Sequence, residues 1–281
     1  TGREPAFAGS LFFILDFGGF TNLPQQHVMQ ATRPTPPQWP PGTTVVQIAT
    51  FNEAASIGPL LEAVHAIVPH AQILVIDDNS PDGTAKIVTK QSKEKEYIHL
   101  LLRIDRRGLG TATLEGLQFA RKMGAEFAIH LDGDLSHDPA DLPRLLEALT
   151  PANEEPFDIA IGSRKIPGGN TVGWSVKRRV ISWLVCWFTC VALRVPVRDG
   201  SSGFRAIRMQ CIAKIDLTNL SSGYAFFEDF LWRAHRSGAR ITEIPITFTN
   251  RKIGESKANG IEMLRGAYDL IKLAVYTCLK R

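Results

Sequence analysis

Two aspartates separated by one glycine, Asp132-Gly133-Asp134, follow the apolar run Phe127-Ala128-Ile129-His130-Leu131, which reads as a buried strand. Pro139-Ala140-Asp141-Leu142 reads as the first turn of the helix that comes next. The pair therefore stands at the carboxyl end of a strand, where open α/β sheets bind their ligands. Two such carboxylates can hold one divalent cation, and a magnesium-type cation joins a few carboxylates to substrate phosphates. Asp-Gly is also turn chemistry, so a solvated turn is the competing reading of these residues alone.

The elements around the pair alternate. Strands are expected over 43–50, 72–76, 97–102, 127–131 and 157–161, with helices after most of them, which implies an α/β fold with a mostly parallel central sheet flanked by helices. Polar residues gather at the strand ends, so Glu53, Asp77, Asp78, Asp132 and Asp134 converge on one rim. Asp82 and Asp138 fit helix capping, since each precedes a helix. Asp132 and Asp134 are not placed to cap. Gly108-Leu109-Gly110 is a poor dinucleotide fingerprint, because Thr113 stands where a third glycine or alanine is needed, and this disfavours an NAD-dependent oxidoreductase. The chain has neither a P-loop nor a Gly-x-Ser-x-Gly nucleophile elbow.

The chain has 281 residues, enough for one large α/β domain or two small ones, and a formal charge of +4. That mild basic bias suits anionic lipid surfaces or phosphorylated ligands. No Lys/Arg block with interleaved aromatics and no Cys/His finger spacing is present, so nucleic acid is not an expected partner. The four cysteines (Cys186, Cys190, Cys211, Cys278) form no Cys-x-x-Cys, which speaks against zinc and dithiol chemistry and for a reducing compartment. No apolar run reaches the roughly 18 residues a spanning helix needs. Residues 1–42 read as a disordered, proline-rich extension; Leu11 to Leu15 lacks the flanks of a signal peptide, and Met29 marks an alternative start.

Beyond Ile161 the character changes. Gly162-Ser163-Arg164 ends a strand with a cation. Trp174 to Leu193 joins a basic start, Lys177-Arg178-Arg179, to an apolar body with Trp183 and Trp187. A membrane-surface helix needs that combination, and a buried core helix is the equal alternative. A strand is expected over 241–248, then the loop Asn250-Arg251-Lys252-Ile253-Gly254-Glu255-Ser256-Lys257, whose cations could clamp a diphosphate, and last an amphipathic helix over 258–281.

Taken in order, these motifs resemble the family 2 glycosyltransferases, and within them the polyprenol-phosphate mannose synthases. The resemblance runs from about Val45 to Thr277 and is carried by Asp77-Asp78-Asn79-Ser80-Pro81-Asp82-Gly83-Thr84, Gly108-Leu109-Gly110-Thr111-Ala112, Asp132-Gly133-Asp134-Leu135-Ser136-His137, Gly162-Ser163-Arg164, Gly200-Ser201-Ser202-Gly203-Phe204-Arg205 and Arg251-x-x-Gly254-Glu255-Ser256-Lys257. It implies a GT-A nucleotide-sugar-binding fold over 43–257. It also implies transfer of mannose from GDP-mannose to a polyprenyl monophosphate with inversion, using Mg²⁺ or Mn²⁺.

By the same resemblance Asp132, Asp134 and Ser136 are the expected metal ligands. Ala49, Phe51, Glu53, Ile76, Asp78 and Gly133 would line the donor site. Asp134, Arg164, Arg251 and Lys257 would carry catalysis, with the three cations on the donor diphosphate. Arg164 and Arg178 would meet the acceptor phosphate. The sequence departs from the family at Ala49, where proline is usual, and at Phe227 and Asp229, where glutamine and glutamate are. The resemblance further implies a peripheral enzyme on the cytoplasmic face of the membrane, with a membrane subunit or a second copy of the chain as further partners. A relative using another donor such as UDP-glucose, and a non-catalytic nucleotide-sugar-binding subunit, are the alternatives. Retention of Asp132, Asp134, Arg251 and Lys257 opposes the latter.

Overall fold

Val45, Val46 and Ile48 are fully buried, and so is Gln47 between them, as a strand covered on both faces requires. In the computed structural model they belong to β1 (Thr44–Thr50), which lies inside a seven-stranded sheet. The residues described are 39–104, 108–152, 154–221, 223, 225–250 and the helix 260–279, the last with side chains over 268–277.

From β1 the chain runs through α1 (Ala54–Ile67), β2 (Gln72–Asp77), α2 (Thr84–Glu94), β3 (Ile98–Leu102), α3 (Leu109–Lys122), β4 (Phe127–Asp132) and α4 (Leu142–Leu149). It continues through β5 (Ile159–Ser163), β6 (Asn170–Val172), α5 (Val176–Ala192), β7 (Arg205–Arg208), α6 (Met209–Ile212) and α7 (Phe226–Arg236), and ends with β8 (Ile241–Pro245), β9 (Thr247–Thr249) and α8 (Gly260–Leu279). The sheet order is β3-β2-β1-β4-β7-β5-β8. Among its pairings only those of β7 are antiparallel.

Helices cover both faces. Ile57, Leu60, Leu61 and Val64 of α1 pack with Val88 of α2 and Leu142, Leu145 and Leu149 of α4 on one side. Leu117, Phe119 and Ala120 of α3 pack with Phe230, Leu231 and Trp232 of α7 and Leu273 of α8 on the other. Each large apolar side chain so buried contributes about 1.5–3 kcal/mol. Trp39 joins the second layer, lying 6.1 Å from Phe119 between ring centroids and donating its amide to the Met123 carbonyl at 2.7 Å.

Two segments differ from their sequence reading. The strand expected over 241–248 breaks at Ile246. Pro245 has no amide to extend the ladder, Ile246 donates to the Ser163 carbonyl at 3.0 Å, and β9 then leaves the sheet to pair with β6. The apolar helix starts at Val176 because the Ser175 hydroxyl accepts from the Arg178 amide at 3.3 Å, so Lys177, Arg178 and Arg179 fall in its first turn. Only Cys186 and Thr189 of α5 are buried. Val176, Val180, Trp183, Leu184, Trp187 and Val191 are exposed, and their spacing of three and four places them on one face. Among the described residues no helix is long and apolar enough to cross a membrane.

Candidate active site

The strand order reverses at β1, whose neighbours are β2 and β4, so a crevice opens there at the carboxyl ends of the strands. Register fixes which residues face it. Thr50 lies opposite Asp77 on one side, and Ala49 lies opposite Asp132 on the other.

The acids at this rim divide by what they hold. Asp77 is fully buried and accepts from the Thr50 hydroxyl at 2.9 Å, the Ser80 hydroxyl at 2.6 Å and the Ser80 amide at 2.9 Å. Asp82 accepts from the Ala54 and Thr84 amides at 2.8 and 3.0 Å, which ties the start of α1 to that of α2. Asp138 accepts from the Ala140 amide. These three carboxylates build turns. Asp78 accepts from the Gly108 amide at 2.8 Å and pairs with Arg103 at 2.9 Å. Burial raises its pKa, opposed by Gly108 and Arg103. Glu53 is joined to the β4 end through Ser56, whose hydroxyl meets both Glu53 Oε2, at 3.0 Å, and the Gly133 carbonyl, at 2.8 Å. Gly133 fits because a Cβ there would lie 3.0 Å from Thr50 Cγ2 and 3.4 Å from the Ala49 carbonyl. Ala49, Glu53 and Gly133 are thus one contact group. The Ile76 side chain points into the core, 3.0 Å from where a Cβ on Gly116 would stand. Phe51 is half-buried in the turn before Glu53.

Asp132 stands between two imidazoles, with His137 Nε2 at 3.2 Å and His130 Nε2 at 3.6 Å. Burial opposes its charge, yet the two histidines outweigh that and hold its pKa well below the ordinary carboxylate value. Asp134, nearly buried, accepts from both the amide and the hydroxyl of Ser136, so it closes a local turn as well as facing the crevice rim. Among the described residues no group of three or more His, Cys, Asp or Glu is placed to enclose a metal. An ionised Asp132 with Asp134 two residues on suits a cation that takes one or two carboxylates and leaves its other positions to substrate phosphates.

His137 links this pair to the arginines. Its ring lies between Phe204 and Phe248, at centroid distances of 4.8 and 5.0 Å. Phe248 packs edge-on against Trp174 at 5.4 Å. The Arg164 guanidinium sits 5.2 Å from the Trp174 ring and 5.5 Å from Phe248, and that of Arg178 sits 4.2 and 5.8 Å from the same two rings. Two guanidinium groups therefore share one aromatic platform. Arg178 also donates to Asn250 Oδ1 at 3.0 Å. Arg164 is paired with Asp199 at 2.7 Å. Burial lowers the Arg164 pKa, but Asp199 more than offsets this and raises it. Arg251 and Lys257 lie outside the described residues.

His130, Arg103, Asp199 and the Trp174–Phe248 platform were not singled out from sequence as parts of the site. His137 stands inside the Asp132-to-His137 motif and Asp199 directly precedes the Gly200-to-Arg205 motif, the one sequence signal that points to either.

The Glycosyl transferase family 2 model matches residues 45–227. An undecaprenyl-phosphate mannosyltransferase of Micrococcus luteus is 39% identical over 214 residues, spanning 76% of this chain and 86% of the relative. A polyprenol monophosphomannose synthase of Mycolicibacterium smegmatis is 35% identical over 244 residues, spanning 86% and 91%. Among solved structures, the glucosyl-3-phosphoglycerate synthase of Mycobacterium tuberculosis in complex with Mn²⁺, UDP and phosphoglyceric acid superposes with a TM-score of 0.62 at 17% identity, covering 84% of this chain and 78% of that one. The same enzyme with Mg²⁺ and UDP gives 0.60 at 16% identity, covering 84% and 79%. At that identity the likeness is one of fold.

Proposed function

Because the chain belongs to glycosyltransferase family 2, we propose that it transfers mannose from GDP-mannose to a polyprenyl monophosphate, with inversion at the sugar. The activities named for the two relatives, of which this chain covers 86% and 91%, support the sugar and the acceptor class. The observation that carries the reading is the contact chain Asp132–His137–Phe248, which joins an ionised carboxylate at the crevice to the paired guanidiniums of Arg164 and Arg178.

The acceptor is itself a phosphate monoester, whose second pKa is about 6, so it is largely ionised near neutral pH and needs no strong general base. Arg164 and Arg178 are assigned to that phosphate, for which the planar guanidinium fork is suited. The departing nucleoside diphosphate gains negative charge as the sugar bond breaks. A Mg²⁺ or Mn²⁺ ion bound by Asp132 and Asp134, with Ser136 beside them, would supply positive charge there. Arg251 and Lys257 are assigned to the same diphosphate by their match to the family motif. Ala49, Phe51, Glu53, Ile76, Asp78 and Gly133 are assigned to the donor. Ile76 can contribute only through its backbone, since its side chain lies in the core.

The exposed face of α5, with three cations in its first turn, is assigned to the cytoplasmic surface of a membrane, where the acceptor's headgroup lies. The residues before Trp39 are assigned as an extension, since Trp39 itself packs on Phe119 of the domain, and a membrane subunit or a second copy is assigned as a further partner. The test is transfer from labelled GDP-mannose, with UDP-glucose in parallel, to a polyprenyl monophosphate in the presence of Mg²⁺ or Mn²⁺. Mannosyl-lipid from GDP-mannose alone is expected. Glucosyl-lipid alone would replace the donor assignment.

A further inference from the structure

We propose that Asp199 is a positioning residue, which sets the Arg164 guanidinium in one orientation for a substrate phosphate. The proposal rests on the reading of Arg164 as a contact of the acceptor phosphate.

Asp199 is fully buried, in the turn that leads into β7. Its carboxylate accepts from three nitrogens of one residue: the Arg164 amide at 2.8 Å, Nε at 2.8 Å and Nη2 at 2.7 Å. Capturing the backbone and the guanidinium of the same arginine together fixes its side-chain rotamer. The Ser201 hydroxyl holds Nη2 as well, at 3.0 Å. No hydrogen bond to Nη1 forms among the described residues, so that amine is the edge left for a ligand, with Trp174 and Phe248 flanking the group.

Asp199 is itself held from behind. Glu243 accepts from the Arg198 and Asp199 amides at 2.8 and 2.9 Å, and Glu243 sits on β8 directly opposite Ile161 of β5, the strand that leads to Arg164. Arg205, fully buried, gathers the Gly200, Ser202 and Phe227 carbonyls, which ties down the rest of the turn. Gly200 lies against α5 so closely that a Cβ would stand 2.6 Å from Thr189 Cγ2. A guanidinium anchored through two strands and a helix is preorganised before substrate arrives.

Charge and positioning give opposite signs here. Asp199 offsets the positive charge of Arg164, so if charge alone mattered its removal would strengthen phosphate binding. If Asp199 positions Arg164, its removal weakens binding. The variants D199N, R164K and the double variant, in the full chain, are assayed with GDP-mannose and a short-chain polyprenyl monophosphate, with thermal unfolding alongside. In D199N the acceptor KM is expected to rise by about 10-fold to 100-fold. The donor KM should stay within about twofold, and kcat should fall less than kcat/KM for the acceptor. Adding D199N to R164K should cost little more than R164K alone. An acceptor KM that is unchanged or lower in D199N while R164K raises it, or strictly additive effects, overturns the proposal and leaves the Arg164 reading intact. An R164K variant with native acceptor KM removes that reading, and the proposal with it. Should D199N not fold, E243Q decides instead: a smaller rise in acceptor KM supports the proposal, and a native value overturns it.

Discussion

His137 Nε2 lies 3.2 Å from Asp132 Oδ2, and the imidazole is held between the rings of Phe204 and Phe248. The two phenylalanines flank the ring, and together with His130 Nε2, 3.6 Å from Oδ1, it orients the Asp132 carboxylate. Orienting partners of this kind set metal affinity without touching the ion.

His137→Ala should therefore raise the Mn²⁺ concentration for half-maximal transfer about 10-fold to 100-fold, with saturating metal restoring most of the rate. A metal titration of transfer checks it. An unshifted midpoint would show that Asp132 needs no such support.

Asp77 and Asp134 should separate stability from activity. Asp77→Ala leaves the Ser80 amide and hydroxyl without their buried acceptor and the Thr50 hydroxyl with only the Ile76 carbonyl at 3.3 Å, and should lose roughly 2–4 kcal/mol in urea unfolding. Asp134→Ala should unfold close to the parent chain and lose transfer. Equal destabilisation of the two would mean that Asp134 serves the turn with Ser136 before it serves a ligand.

Burial pushes the Glu228 carboxyl from its ordinary 4.5 up to about 7, and among the described residues its Oε2 has no hydrogen-bond partner. A raised folded-state pKa makes the carboxyl's contribution to stability complete below 4.5, and the contribution is lost as pH rises through about 7. Between pH 5 and pH 8 the parent chain should lose on the order of 3 kcal/mol at this site, a loss that Glu228→Gln lacks. Urea unfolding of both chains at the two pH values measures the difference. Parallel behaviour would place the titration elsewhere.

Trp183 and Trp187 are 57% and 52% exposed, so replacing both with serine should change unfolding stability by no more than about 0.5 kcal/mol. The same double variant should sediment poorly with anionic liposomes that retain the parent chain. Equal retention would remove α5 from the membrane contact.

Much of this architecture was legible in the residues. Apolar runs ending in acids marked β1, β2 and β4, and the register that sets Ala49 beside Asp132 follows from parallel pairing of those strands. The division of labour between Asp77 and Asp78 was not legible, because only the folded turn shows that Ser80 and Thr50 occupy the first. Nor was the pairing of Arg164 with Asp199, which lie 35 residues apart and meet through the antiparallel return of β7. Pro245 marked a weak point in the strand expected over 241–248, but apolar residues at alternate positions over Ile244, Ile246 and Phe248 masked the break, and the partner β6 that redirects the end could not be read from sequence. The exposure of α5 could not be read either, since an apolar helix with tryptophans fits a core as well as a lipid surface.

The assignment of a metal-assisted transfer at Asp132 and Asp134 meets its sharpest test in a single assay. Purified chain is incubated with labelled GDP-mannose, polyprenyl monophosphate and Mg²⁺ or Mn²⁺, with Asp134→Ala and a chelator as the paired conditions. The expected result is mannosyl-phosphate lipid from the parent chain, and loss of at least about 100-fold both in Asp134→Ala and on chelation. Near-parental turnover by a folded Asp134→Ala variant, or full activity in the chelator, would contradict it.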